Sequence, residues 1–185
     1  MSRPVSARSH VYRITLDAMF VAIFVTLSLV PSQLSWATLP ALLCAFLLGP
    51  IDVLAVVTIG SLIEQIWYGL SFQSILWMLP WISFGIVIGL FASLCRKHPK
   101  IWLMIIGIVC AEILLSVANT SVLLRFGYVM IDPTKFPTAV PLWLVTVLTY
   151  ILRMPQGIIR AVLSSVIVPL LLPPLRRAMA KFFAF

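Results

Sequence analysis

The chain has 185 residues, 62% of them apolar and only 10% charged, with a mean hydropathy of +1.15. A water-soluble domain holds about 45–50% apolar and about 25% charged residues, so a soluble globule, a disordered tail and a nucleic-acid module are excluded, and the net charge of +8 reads as membrane topology. A spanning helix takes about 20 apolar residues, which leaves room for about six helices and none for a nucleotide-hydrolysing domain.

Residues 1–13 are polar and basic (Arg3, Arg8, Arg13) and read as a cytoplasmic tail. The apolar run 14–30 contains Asp17, is too long for a signal-peptide core and lacks a small-x-small cleavage site, so it reads as the first span. After a break at 31–35, residues 36–48 form a short second helix that stops at Gly49-Pro50. Glycine past one helix end and proline at the next start is the usual stop-and-restart signal. The third span covers 51–68, followed by a polar loop at 69–74; the fourth covers 75–94 and ends at Arg96-Lys97-His98-Pro99-Lys100; the fifth covers 101–124. Residues 125–153, with Gly127, Asp132, Pro133, Lys135 and Pro137, read as an outer loop with a short helix. As one helix the stretch 142–172 would reach about 46 Å. Arg153-Met154-Pro155 is therefore expected to divide it, leaving a sixth span at 154–172 closed by Pro173-Pro174 and Arg176-Arg177.

The resulting fold class is all-α: one domain over 1–185, an integral, multi-pass membrane bundle of six transmembrane helices with both termini cytoplasmic. In that orientation the inner segments carry nine basic residues (Arg3, Arg8, Arg13, Arg96, Lys97, Lys100, Arg176, Arg177, Lys181) and the outer loops two, Arg125 and Lys135, which satisfies the positive-inside rule. The Gly49–Asp52 hinge has no counterpart in the second half, so an inverted-repeat transporter has no support. Cys44, Cys95 and Cys110 lie in or beside apolar runs without CxxC spacing, which points to packing and not to a disulfide or metal.

Ionisable groups inside a bilayer are rare and point to function. Glu64 lies about 20 Å along the third span, with Gln65 and Tyr68 after it; Glu112 stands mid-way in the fifth, with Asn119 further out; Arg153, Gln156 and Arg160 follow in the last region. Together with Trp77 and Trp81, spaced i, i+4, these residues outline one solute site in the outer half of the bundle. A second reading leaves Glu64 and Glu112 paired with Arg153 or Arg160 as glue between helices. Asp17 and Asp52 suit capping or interface roles near the inner helix ends. Ala18 and Ala22 stand on one face of the first helix, a small-xxx-small pattern that lets another helix approach closely. No HExxH, GxSxG or intramembrane aspartate pair is present, so no catalytic residue, metal or cofactor is expected.

Several stretches resemble the substrate-binding S component of an energy-coupling-factor (ECF) vitamin transporter. Residues 16–29 (LDAMFVAIFVTLSL) are similar to the family's first helix, 39–52 (LPALLCAFLLGPID) to its second with the Gly-Pro hinge, and 64–89 (EQIWYGLSFQSILWMLPWISFGIVIG) to a pantothenate/hydroxymethylpyrimidine-like branch. Asn119-Thr120 and Arg153 resemble signatures of the fifth and sixth helices, so the likeness extends over residues 12–177. That branch places a basic residue near Ser83, and Ser83-Phe84-Gly85 offers none. The resemblance implies a non-enzymatic membrane subunit that captures a B vitamin or precursor from outside, with pantothenate first. Loops 1, 3 and 5 would lid the pocket. Ala18 and Ala22 would dock on a transmembrane coupling subunit driven by two ABC ATPases, which use the ATP; the whole bundle would then topple to deliver the ligand. Hydroxymethylpyrimidine, pyridoxine or folate are the alternative ligands, and an autonomous proton-coupled carrier is the alternative from another class.

Overall fold

The computed structural model describes residues 7–30, 36–124 and 142–183; the loop at 31–35 and most of the expected outer loop, 125–141, lie outside the described residues, as does the start of the tail at 1–6. The described residues are helical: α1 (Ala7–Leu29), α2 (Thr38–Leu47), α3 (Pro50–Tyr68), α4 (Phe72–Leu76), α5 (Met78–Lys97), α6 (Ile101–Val122) and α7 (Leu142–Phe183). Five helical stretches are long and apolar enough to cross a membrane: 11–29, 50–68, 74–97, 101–122 and 149–180. The sixth apolar helix, α2, has 10 residues and is about 15 Å long, half of a hydrocarbon layer.

Three boundaries differ from the reading of the sequence. Helix α1 begins at Ala7, inside the expected tail, because nothing in 7–13 breaks a helix. The polar loop at 69–74 yields to α4, which Ser71 and Ser74 start with a reciprocal capping box, so that Trp77 sits at the junction of α4 and α5 instead of inside one helix. The third difference is the largest. Helix α7 runs through Pro155, Pro169, Pro173 and Pro174 as one helix of 42 residues, neither divided at Arg153-Met154-Pro155 nor closed at 173–177. A proline inside a helix frees about one backbone acceptor, whereas ending the helix frees four carbonyls. In lipid the continuous helix is therefore the lesser cost.

The long helices pack in the sequence α1–α3–α5–α6–α7, and α2 fills the middle, touching α1, α3, α5 and α7. This central position explains why α2 is apolar on all sides, with Ala41, Leu42, Cys44 and Ala45 fully buried. Phe24, Val53, Val56, Val57, Phe84 and Ile88 continue the core around it.

At one end of the bundle charged side chains converge on the α2–α3 junction. The Arg96 guanidinium donates to the Leu48 carbonyl (2.5 Å) and Arg176 to the Phe46 carbonyl (3.3 Å), so two cations cap the negative end of α2. Gly49 turns the chain with φ +132° and ψ −171°, a conformation essentially reserved for glycine; a Cβ there would lie 2.7 Å from Arg96 Nη2. Asp52, in the first turn of α3, accepts two hydrogen bonds of 2.7 Å from Arg13 of α1. Asp52 thus has both a favourable helix end and a bidentate partner.

Candidate solute-binding site

At the opposite end, a cavity of about 800 Å³ opens between α3, α4, α5, α6 and α7, within the range of small-molecule pockets, about 300–1,000 Å³. Its position follows from the length of α2. A 15 Å helix cannot fill the middle of a bundle about twice as tall, and the first residue of α2, Thr38, hydrogen-bonds Glu112 just below the cavity floor.

Each wall comes from a different helix. The last turns of α3 supply Glu64 and Gln65, with Tyr68 exposed at the rim. The α3–α5 connection supplies Ser71, Ser74 and Trp77. It is ordered by the Ser71 hydroxyl accepting from the Ser74 amide (3.1 Å) and the Ser74 hydroxyl donating to the Gly69 carbonyl (2.7 Å). Trp81, from the first turn of α5, lines the cavity while its ring packs edge-on against Phe24 (4.7 Å) and Phe84 (6.0 Å), which ties the wall to the core. Helix α6 presents Ser116, Asn119 and Thr120, spaced i, i+3, i+4 on one face.

Helix α7 presents Arg153, Gln156 and Arg160, again on one face. Gly157 lets α7 approach α6 closely enough for this: a Cβ at that position would lie 2.7 Å from Ser116 Cβ. The Tyr150 and Ser121 hydroxyls hydrogen-bond across the same pair of helices at 2.8 Å.

Eight of the nine expected ligand residues, Glu64, Gln65, Tyr68, Trp77, Trp81, Asn119, Arg153 and Gln156, therefore lie around one cavity. Glu112 does not line it. Fully buried beneath, its Oε2 stands 3.3 Å from Arg160 Nε and its Oε1 accepts from Ser164 (3.4 Å). Glu112 is the inter-helix glue of the second reading, with Arg160 as its partner. Ser71, Ser74 and Ser116 join the lining without having been singled out, and Thr120 and Arg160, already noted in the sequence, line it as well. The i, i+3, i+4 stripe of Ser116, Asn119 and Thr120 on α6 was the signal that could have found Ser116. Ala18 and Ala22 lie far from this site in character: both are exposed, beside exposed Met19 and Ile23 on α1. The lids expected from loops 1 and 5 fall outside the described residues, while the connection carrying Ser71 and Ser74 corresponds to loop 3.

A family model described as the substrate-specific component of ECF transporters matches residues 12–172. No curated protein matches the chain.

Proposed function

Because the chain belongs to the family of substrate-specific components of ECF transporters, multi-pass membrane subunits that work with an energy-coupling module and a small-molecule substrate, we propose that the cavity captures a B vitamin or vitamin precursor, pantothenate first among them, without catalysis. The observation that carries this reading is the convergence of polar and aromatic groups from α3, the α4 connection, α5, α6 and α7 on one cavity of ligand size. Arg153 is the candidate partner of the pantothenate carboxylate, and Trp77 and Trp81 give the apolar wall. Hydroxymethylpyrimidine, pyridoxine and folate are the other ligands of this reading.

The orientation follows from charge. Arg96, Lys97, Arg176 and Arg177 gather at the end carrying Gly49, so that end faces the cytoplasm under the positive-inside rule and the cavity opens outward. Ala18 and Ala22, exposed on α1, are the docking face for the transmembrane coupling subunit, which two ABC ATPases drive, and toppling of the bundle delivers the occluded ligand. Glu112, spent on Arg160, is a poor proton relay, which argues against an autonomous proton-coupled carrier.

The test is a paired assay. Purified protein in lipid nanodiscs is titrated with pantothenate and the alternative vitamins, and cells expressing the chain with and without a coupling module are assayed for uptake. The expected result is micromolar or tighter binding by the isolated chain and uptake only with the module. Uptake by proteoliposomes of the chain alone, driven by a proton gradient, would overturn it.

A further inference from the structure

Four side chains of the charged types, Glu64, Arg153, Arg160 and Glu112, stand in or directly beneath the cavity. Two of them cancel, since Arg160 and Glu112 form an ion pair. Among the described residues the only other ion pair is Arg13–Asp52, at the opposite end of the bundle. Among the described residues Glu64 and Arg153 are therefore left without ion-pair partners, and one oxygen of Glu64 is buried with no hydrogen-bond partner. Arg160, two turns further along the same face of α7, is a like charge and no partner for Arg153. The pair does not neutralise itself either. Glu64 rides on α3, which packs against α1, α2 and α5, whereas Arg153 rides on α7, which packs against α6 and α2. The two charges face the cavity from separate walls.

We infer that the ligand is bipolar, carrying an acid group that Arg153 grips and, at its other end, a hydroxyl, amide or amine donor that Glu64 accepts. This rests on the reading of the cavity as a solute site. A guanidinium presents a rigid fork of donors that matches a carboxylate or phosphate. A carboxylate has only acceptors to offer and is satisfied only by donors. A solute with one of these groups leaves the other charge desolvated and unmatched, which is how polar sites reject near-analogues. The indoles of Trp77 and Trp81, which line the same cavity, take the ligand's apolar middle.

The test uses the full chain in nanodiscs and thermal-shift and calorimetric titration with three groups of water-soluble vitamins and analogues. The first group carries acid and donor (pantothenate, folate, biotin), the second a donor only (panthenol, hydroxymethylpyrimidine, pyridoxine), the third an acid only (nicotinate, lipoate). The tightest binder is expected in the first group, and its acid-free analogue weaker by about 10- to 100-fold, the loss of one charged hydrogen bond. Arg153→Gln and Glu64→Gln should each weaken that binder by a similar factor. Arg153→Gln should not weaken the acid-free analogue, whose binding then strands no desolvated guanidinium, a result that misfolding could not produce, and Arg153→Lys should restore part of the loss. A tightest binder from the second or third group overturns the bipolar inference and leaves the solute site standing. Equal weakening of every compound by Arg153→Gln also overturns it. Binding by none of the compounds overturns the solute-site reading, and the inference with it.

Discussion

Replacing Glu112 by glutamine tests how the site is built, because the substitution keeps shape and hydrogen-bonding capacity and removes only the charge. Glu112 is fully buried, and Arg160, 3.3 Å away, is 12% exposed. Loss of the carboxylate leaves a guanidinium in a low-dielectric layer with no anion beside it among the described residues. Stripping one partner from a buried pair costs about 3–5 kcal/mol, while replacing both members by apolar side chains is often close to neutral. Glu112→Gln should therefore destabilise the protein by about 3–5 kcal/mol, read from denaturant unfolding in mixed micelles. The double variant Glu112→Leu/Arg160→Leu should be less destabilised than that single variant, because it leaves no orphaned charge. The two sites touch, so their effects should not add. A cost below about 1 kcal/mol, the range of a solvated surface pair, would refute the reasoning, since Arg160 would then be hydrated from the cavity and in no need of Glu112.

Three further outcomes are expected. Ala18→Trp and Ala22→Trp, on an exposed face of α1, should abolish uptake with the coupling module present while changing ligand affinity in the isolated protein less than about twofold, since exposed substitutions away from special features usually shift stability within about 0.5 kcal/mol; loss of binding would instead make α1 a packing helix. Gly49→Ala should lower unfolding stability by about 1–3 kcal/mol, through its positive φ and the contact a Cβ would make with Arg96; an unchanged unfolding curve would show that the α2–α3 junction relaxes freely. Gly157→Ala should gain about 1 kcal/mol of helix propensity yet weaken ligand binding, because the added methyl meets Ser116 and pushes Arg153 and Arg160 away from α6; Ser116→Gly in the same chain should return part of the affinity by calorimetry, and its failure to do so would remove this contact from the account.

Much of the architecture is legible in the chain because lipid imposes simple constraints. Apolar runs of spanning length and basic clusters between them are local properties, so the helical bundle and the short α2 with its Gly49-Pro50 stop could be read residue by residue. Proline was the misleading signal. Its effect on a helix in water suggested breaks at Pro155 and at 173–174, but in lipid the greater cost of four orphaned carbonyls keeps α7 continuous. The serines that begin α4 were read as loop because a one-turn helix has no periodicity to detect.

The candidate residues around the cavity were visible as polar groups at depth, yet their partnerships were not. Sequence alone identified Glu64, Glu112, Arg153 and Arg160 as charges that a bilayer makes expensive. Which acid meets which arginine depends on how α3, α6 and α7 are arranged around α2, and on the close approach of α6 and α7 at Gly157. Tertiary packing alone set Glu112 against Arg160 and left Glu64 and Arg153 facing open space. Charge cost is written into the residue type and its depth along a helix, whereas charge pairing is a matter of a few ångströms between helices far apart in the chain.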